Sequence, residues 1–250
     1  MKKLQLRRTK PVAPVEPDAG VEHTEVPIDV EQADVDDVTV DVESLEPAEA
    51  DVFDDSKSAP ADRAEAGPLD EAEANPVRPY VDLGGVKILP REGLHLRLEV
   101  EEGSKRVVAV GLDFARSTLQ VQPFAAPRSA GLWNEIREQI VEQIHRQGGT
   151  TAEVDGPFGP EVRAEIPVMG GDATTKRVAR FIGVDGPRWF LRGVIAGQAT
   201  VDQEAAEKIE DLFRSVVVVR GTTPMPPRDL IPLSMPKAAV GDAGTGSTAV

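Results

Sequence analysis

The 250-residue sequence predicts an α+β fold: a mainly antiparallel sheet of about seven strands packed with two amphipathic helices. Short apolar segments with a two-residue period follow one another between turn residues, as in strands joined by hairpins. Two longer segments have a helical period and interrupt the strands singly, an order that favours α+β over a doubly wound sheet. Residues 76–250 hold nine of the ten aromatic residues, so we expect the core there.

The first three strands are predicted to form successive antiparallel hairpins. Leucines alternate with polar residues from position 94 to position 98, which indicates a strand with one buried face. The segments Val107–Leu112 and Thr118–Phe124 follow after short turns and provide the second and third strands. The glutamates near the end of the first strand, Glu99 among them, are interpreted as solvated charges.

Two amphipathic helices are predicted from apolar residues that recur at steps of three and four. The first follows Ser129, a residue type that caps helix N-termini, and ends at Gly148. Its predicted apolar face consists of Leu132, Trp133, Ile136, Ile140, Val141 and Ile144. The second helix follows Asp202 as its N-cap. Its predicted apolar face consists of Ala205, Ala206, Ile209, Leu212, Phe213 and Val216.

Four further strands complete the predicted sheet as two hairpins. They are Thr150–Val154, Glu161–Val168, Arg177–Val184 and Trp189–Ile195. Each hairpin turns at an Asp-Gly-Pro sequence, and Asp-Gly favours tight turns because glycine adopts a positive φ at no steric cost. We interpret the two copies as convergent turn chemistry and not as an internal repeat.

Charge divides the chain into a tail and a domain. Residues 1–10 form a basic leader with five basic residues, and residues 11–75 hold 21 acidic residues against two basic ones. We expect residues 1–75 to be disordered, because this composition buries too little apolar area to offset the entropy of ordering. Residues 76–236 are predicted as one nearly neutral domain with a proline-rich C-terminal extension, and residues 237–250 as a second disordered tail.

Part of the acidic segment alternates valine with acidic residues, from Val35 to Glu43, which is also the pattern of a strand. No neighbouring segment of the tail has a matching period, so disorder is the preferred interpretation. Functionally, we interpret the acidic segment as a solubilising spacer. The alternative is an electrostatic arm that competes with anionic ligands for a basic surface or binds a basic partner.

Composition and motifs exclude several kinds of site. A chain without cysteine has no disulfide, no thiolate nucleophile and no cysteine-bound metal, and its three histidines are scattered. No serine elbow, phosphate loop or dinucleotide fingerprint is present. We therefore predict no catalytic residue, no metal site and no cofactor.

The expected location is the cytoplasm. No apolar run approaches the roughly 20 residues that a membrane helix needs, and no secretory signal follows the basic N-terminus. The near-neutral charge of the domain argues against nucleic acid as a partner, because binding to phosphates needs an excess of Lys and Arg. A nucleic-acid accessory role for the basic leader is the weakest of the alternatives.

Arginines cluster on the last predicted hairpin. Arg180 and Arg192 are expected on the same side of it, where two guanidinium groups suit a carboxylate or a phosphate. Ion pairs with Asp185, Asp202 or a nearby Glu on the solvent face are the preferred interpretation of these arginines, and anion binding is the alternative.

The sequence contains two long, unusual stretches, QPFAAPRSAGLWNEIR at residues 122–137 and RFIGVDGPRWFLRG at residues 180–193. Together they resemble the actinobacterial family called domain of unknown function 3710, over roughly residues 76–236. The family has no established reaction, so the resemblance implies no catalytic residue. It makes motif positions candidates for a shared binding site, and we select Arg128, Asp185, Arg188, Trp189 and Arg192.

Two functional hypotheses follow. The first is a non-enzymatic binding or adaptor domain that holds a protein partner on its sheet face or its arginine-bearing hairpin. The alternative is an enzyme or sensor domain for a small anionic ligand. In that case Arg128, Arg188 and Arg192 would converge beside the N-terminus of the first helix, where backbone N–H groups also favour anions.

Overall fold

A computed structural model of the chain describes residues 54–168 and 176–236. The predictions for residues 1–53 and 237–250 lie outside the described residues. The helices are α1 (Arg63–Ala66), α2 (Trp133–Arg146) and α3 (Gln203–Arg214). The strands are β1 (Leu69–Asp70), β2 (Val81–Asp82), β3 (Val86–Ile88), β4 (His95–Val100), β5 (Val107–Phe114), β6 (Ser117–Ala125), β7 (Thr150–Gly156), β8 (Gly159–Pro167), β9 (Lys176–Asp185), β10 (Trp189–Gly197) and β11 (Val217–Val218).

A seven-stranded antiparallel sheet forms the centre of the fold, in the order β4-β5-β6-β10-β9-β8-β7. Its strands are the seven that the sequence predicts, so the predicted α+β class is confirmed. The chain leaves β6 through α2, enters the far edge at β7 and returns strand by strand to β10, which pairs with β6.

The main core lies on one face of this sheet. Apolar residues of the central strands point to the same side and pack with α3 and the C-terminal extension. Burial of this face at about 25 cal/mol per Å² of apolar surface is the main stabilising contribution to the fold. The fully buried residues of this cluster include Val110, Leu112, Leu119, Val121, Leu191, Ile195, Ile209, Leu212 and Phe213.

Helix α2 packs on the opposite face, against β7, β8 and β9. Trp133 at its start stacks with Phe190 of β10 at a centroid distance of 5.9 Å, and Phe190 stacks with Phe124 of β6 at 6.0 Å. Gly183 lies beneath the indole ring, where an added Cβ would approach ring carbons to 2.4 Å. The helix thus contacts the part of this face formed by β7, β8 and β9, and Trp133 extends the contact to β10.

A second sheet includes residues that precede position 76, where the domain is predicted to begin. This four-stranded sheet has the order β1-β11-β3-β2, and its parallel pair joins β1 to β11, so residues 69–70 belong to a sheet. The N–H groups of Leu69 and Glu71 donate to the carbonyls of Val216 and Val218, both at 3.0 Å. Acidic composition does not predict such backbone contacts with a distant segment.

The two predicted helix caps have different outcomes. Asp202 caps α3 as expected, accepting a hydrogen bond from the N–H of Ala205 at 2.9 Å. Ser129 does not cap α2 and is exposed, because the helix begins later, with Leu132 at the N-cap position. The acceptor at this helix end comes from Asp185, distant in sequence, so local helix propensity does not reveal it.

Candidate binding site on the sheet

Asp185 holds the N-terminal part of the domain together. Its buried carboxylate accepts hydrogen bonds from the backbone N–H groups of Leu132 at 2.8 Å and Ser58 at 3.1 Å, with Trp133 N at 3.4 Å. Burial raises the pKa of this carboxyl, and the N–H groups and the Lys57 charge oppose that rise. Through these hydrogen bonds, Asp185 joins the start of α2 to the segment that precedes α1.

Lys57 completes this junction from the N-terminal segment. Its ammonium group donates to the carbonyl oxygens of Pro187 at 3.1 Å, Pro127 at 3.3 Å and Gly186. Burial lowers the pKa of Lys57, and the nearby Asp185 charge opposes this. We call the contacts of Lys57, Ser58 and Asp185 the N-terminal anchor, and both stretches that carry the family resemblance contribute to it.

Trp189 also attaches the N-terminal segment. The residue is fully buried, and its indole N–H donates to the Asp70 carboxylate at 2.9 Å. The Arg63 guanidinium lies 5.7 Å from the indole centroid, a distance typical of cation–π contact. The described contacts of Asp185 and Trp189 therefore connect parts of the domain to one another.

The three arginines proposed to converge have different surroundings. Arg128 is exposed, and Arg188 is half-buried and donates to the carbonyl of Gly221 at 3.3 Å. Arg192 is only 1% exposed and lies within the large sheet. Within the described residues, no hydrogen bond joins the three to a common group.

Arg180 and Arg192 point to opposite sides of the sheet, contrary to the prediction. Arg192 is directly opposite Gly183, whereas Arg180 is opposite Ile195, three residues further along β10. An odd separation along paired strands reverses the face, because side chains alternate with a period of two. On its own face Arg180 binds Glu161 at 2.8 Å and Glu210 of α3 at 2.6 Å.

Arg192 belongs to a row of polar residues on the same sheet face as α2. The row extends from β10 across β6 and β5 to β4, on the side away from β7. Arg192 of β10 is opposite Gln122 of β6, and Gln120, two residues earlier in β6, is opposite Gly111 of β5. Gly111 is in turn opposite Arg97 of β4. We call this row the polar sheet face, and it consists of Arg97, Glu99, Gln120, Gln122 and Arg192.

Hydrogen bonds link the members of the polar sheet face in pairs. The Gln120 amide donates to Glu99, and Arg192 Nη2 donates to the Gln122 amide oxygen. Arg97 binds the Asp113 carboxylate through two nitrogens at 2.8 and 3.2 Å. The prediction that Glu99 is a solvated charge was wrong, because Glu99 is half-buried and its carboxylate accepts from Gln120.

Arg192 has unfilled hydrogen-bonding capacity. Its Nε and Nη1 atoms are buried and have no hydrogen-bond partner among the residues that the structure describes. Burial lowers the pKa of this guanidinium to about 10, and the Glu99 charge acts in the opposite direction. The group is still a cation at neutral pH, and its one described acceptor is a neutral amide. An anionic acceptor would supply both the hydrogen bonds and the opposite charge that this buried cation lacks.

The polar edge of α2 contacts the end of β6 through Arg228. Glu135 accepts from Arg228, whose own N–H donates to the carbonyl of Ala125 at the end of β6 at 2.8 Å. Gln139, one turn later, donates to Glu135 at 3.1 Å, and its buried Oε1 lacks a partner in the described parts of the chain. This edge of the helix thus has an unfilled acceptor, whereas the unfilled groups of Arg192 are donors.

Sequence reasoning selected Arg192 but missed the glutamines beside it. A signal was present, because Leu119, Gln120, Val121 and Gln122 alternate within a strand predicted between two others. Alternation in a central strand means that polar side chains occupy a second sheet face, which is itself a candidate surface. What packs on that face is not encoded in the strand, so the burial of these polar residues was not predictable.

Other kinds of site are not seen in the described segments. Residues 54–168 and 176–236 contain no group of three or more metal-ligating side chains. In the same residues, no helix is both long and apolar enough to cross a membrane.

The fold and this site define an α+β domain with two sheets and a buried polar cluster on one sheet face. The chain belongs to the family described as protein of unknown function (DUF3710), whose sequence profile matches residues 67–242. The family predicted from the two stretches is therefore confirmed. The matched range includes β1 of the second sheet.

Comparison with other known proteins adds little. No curated protein matches the chain. Among solved structures, the chain is similar to the solution structure of cyanobacterial PsbP (CyanoP) from Synechocystis sp. PCC 6803, with 13% sequence identity and a TM-score of 0.34. The alignment covers 61% of this chain and 99% of that one. A likeness at this level supports no argument about function.

Proposed function

We propose that this protein is a non-enzymatic binding domain, and that its polar sheet face binds the acidic side chains of a protein partner through Arg192. The observation that carries the proposal is the buried Arg192 guanidinium, with two nitrogens unpartnered among the described residues. A carboxylate supplies both the counter-charge and the acceptors that this group lacks.

The chemistry of the polar sheet face suits binding more than catalysis. A guanidinium group stays protonated near neutral pH, so it holds an anion but does not transfer protons. Arg97 and Glu99 are engaged by Asp113 and Gln120, which fixes their positions on rigid strands. Such a preorganised set of hydrogen-bonding groups lowers the entropy lost when a partner binds.

Exposure along the polar sheet face suggests the direction of approach. The Arg97 side chain, near the sheet edge, is 36% exposed, whereas Gln120 is 3% and Arg192 is 1% exposed. A partner that enters from the β4 side meets Arg97 first and Arg192, the most buried member of the row, last. The expected cytoplasmic location remains part of this proposal and accords with the absence of cysteine from the sequence.

Isothermal titration calorimetry of the full chain tests the proposal. The probe is a short poly-glutamate peptide, and the variant is Arg192→Gln, which removes the buried charge. Loss of a charge-assisted hydrogen bond of about 1.5–3 kcal/mol corresponds to a loss of affinity of at least about tenfold. The matched control is Arg91→Gln, which removes an arginine bound to Asp211 of α3 and leaves the affinity unchanged.

Two results would contradict the proposal: no saturable binding by the wild-type chain, or equal affinity for the wild type and Arg192→Gln. Citrate and inorganic phosphate serve as further probes. Binding of these small anions without binding of poly-glutamate would instead favour the alternative, a sensor of a small anionic ligand.

A further inference from the structure

We propose that the edge of β4 pairs with the same edge of a second copy of this chain, so that two large sheets form one continuous sheet across a two-fold axis. The occupant of the edge is therefore another molecule of the same protein. Edge pairing covers neither face of the sheet, so the inference does not depend on the ligand proposed for Arg192.

β4 is an edge strand. It is first in the sheet order, and within residues 54–168 and 176–236 it pairs with β5 alone. Along His95–Val100, the backbone N–H and C=O groups that point away from β5 can bind a further strand. Addition of an extended segment to such an edge is a common mode of binding. In a two-fold dimer the added strand is β4 of the second copy, in antiparallel orientation.

The alternation of residues along β4 suits pairing with itself. Leu96, Leu98 and Val100 lie on one face of the strand, and Arg97 and Glu99 lie on the other. A two-fold axis perpendicular to the sheet keeps each face on its own side, so apolar residues of the two copies become neighbours. Val100 is 48% exposed, and the two leucines are partly exposed. Each copy therefore gains hydrophobic free energy when the other covers this surface.

The charges of β4 select one register of this pairing. When the axis passes through Leu98, Arg97 of each copy lies directly opposite Glu99 of the other copy. The symmetry repeats this pair of opposite charges twice. The same register places Leu96 opposite Val100, again twice. An axis through Arg97 or through Glu99 would instead place two like charges opposite each other, which is destabilising.

Contacts within each copy already hold these charges in place. Arg97 binds Asp113 of β5 at 2.8 Å, and Glu99 accepts from the Gln120 amide. The Arg97 side chain is 36% exposed, so a carboxylate on an added strand can approach it. Because the charged groups are held on rigid strands, less entropy is lost when the two copies pair.

The other edge of the sheet lacks this complementarity to itself. β7 carries Glu153 and Asp155 and no basic residue. A two-fold pairing of β7 centred on Val154 would place these acidic residues opposite each other, and such charges are one means by which edge strands avoid pairing. Pairing through β4 therefore produces a closed dimer and not an extended array of sheets.

Cysteine cross-linking of the full chain tests the register, because the sequence has no cysteine and each substitution introduces a single thiol. Leu98→Cys places two thiols directly across the axis, close enough for a disulfide. In the matched control, Leu96→Cys, the two thiols lie four residues apart along the strands, about 13 Å, which is too far. With oxidised glutathione as oxidant, we expect a disulfide-linked dimer of Leu98→Cys and at least about tenfold less of Leu96→Cys.

An equimolar mixture of Leu96→Cys and Val100→Cys tests the same register a second time. Position 96 of one copy faces position 100 of the other, so the mixture should form a disulfide-linked dimer. Neither variant should do so alone, because its own thiols are four residues apart in the dimer. Non-reducing gel electrophoresis measures all of these products.

Sedimentation velocity of the full chain over a series of concentrations tests the dimer itself. Six residues per copy form a small interface, so we expect a weak dimer whose fraction rises with concentration. Val100→Lys replaces an apolar contact by a charge at the edge and should weaken the dimer at least about tenfold. The matched control is Val178→Lys, at a valine of β9 that is 37% exposed but lies on an interior strand. It should dimerise as the wild type does.

Three results would overturn the inference. One is a wild type that remains monomeric up to the concentrations used for NMR. Another is equal cross-linking of Leu98→Cys and Leu96→Cys, which would indicate a different surface or register. The third is wild-type dimerisation of Val100→Lys. None of these measurements contains poly-glutamate, so failure of this proposal is distinguishable from failure of the binding proposed for Arg192.

Discussion

Arg192 lies deep in the domain with little to offset the loss of its hydration. Removing a guanidinium from water costs several kcal/mol unless hydrogen bonds and opposite charge compensate. In the described residues Arg192 has the neutral amide of Gln122 as acceptor and the charge of Glu99 nearby. The described residues therefore compensate the charge of Arg192 only in part.

Replacing Gln122 by Glu should change the stability of the protein little. The carboxylate would turn the hydrogen bond from Arg192 Nη2 into an ion pair, but it would lose the hydrogen bond that the Gln122 amide donates to the Val108 carbonyl at 3.1 Å. Each of these contacts is worth about 1 kcal/mol, so the free energy of unfolding should stay within about 1 kcal/mol of the wild-type value. Urea denaturation of Gln122→Glu and the wild type at neutral pH measures it.

Gln120→Glu is the matched control for that substitution. Gln120 donates to Glu99, so a carboxylate at this position would face another carboxylate and should lower the free energy of unfolding. If Gln122→Glu destabilises the protein as much as Gln120→Glu does, the charge of Arg192 is already compensated within the chain.

At the scale of elements, the two Asp-Gly-Pro turns have different roles. Both connect hairpin strands, as the sequence predicts. Asp155 in the β7–β8 turn is exposed, whereas Asp185 in the β9–β10 turn is 2% exposed and holds Ser58 and α2 through their N–H groups. The same local sequence thus forms a simple turn once and a tertiary junction once.

The buried position of Asp185 predicts a pH dependence of stability. Its folded pKa lies above the value of 3.8 for an unperturbed Asp, because desolvation outweighs the N–H groups that bind it. Between 3.8 and the folded pKa, the folded chain binds more protons at this site than the unfolded chain does. The contribution of Asp185 to the free energy of unfolding therefore falls as pH rises through that window.

Denaturant unfolding of the wild type and Asp185→Asn over a series of acidic pH values checks this dependence. The free energy of unfolding of the wild type minus that of Asp185→Asn should decrease as pH rises from below 3.8. An increase for Asp185 would mean that its hydrogen bonds outweigh desolvation.

Sequence periodicity predicted the elements whose pattern is local. All seven strands of the large sheet and the capped start of α3 come from alternation, turn residues and Asp202. The second sheet was missed because its strands are two or three residues long and carry no period of their own. The cap of α2 was missed because its acceptor, Asp185, is 53 residues away from Leu132.

The candidate site was partly predictable for similar reasons. Arg192, Asp185 and Trp189 lie in the conspicuous stretch 180–193, but their burial depends on strands and segments that arrive from elsewhere. Register across β4, β5, β6 and β10, which a single segment does not encode, brings the glutamines to Arg192. The same register separates Arg180 from Arg192.

At the scale of the whole molecule, the acidic excess and the buried arginine lie in different parts of the chain. The acidic excess lies mainly in residues 11–75, and the described part of this segment begins at Asp54, whose carbonyl accepts from the Asn134 amide of α2. The buried Arg192 cation lies in the large sheet, within the part of the chain whose charges nearly balance.

The side-chain NMR signal of Arg192 tests the central claim most directly. The Nε–Hε resonance is recorded in the full chain during titration with the poly-glutamate peptide, with Arg91 as an internal reference. We predict a saturable shift of the Arg192 resonance with the same affinity as calorimetry, and no comparable shift of Arg91. An Arg192 resonance that does not move while the peptide binds would show that the polar sheet face is not the binding site.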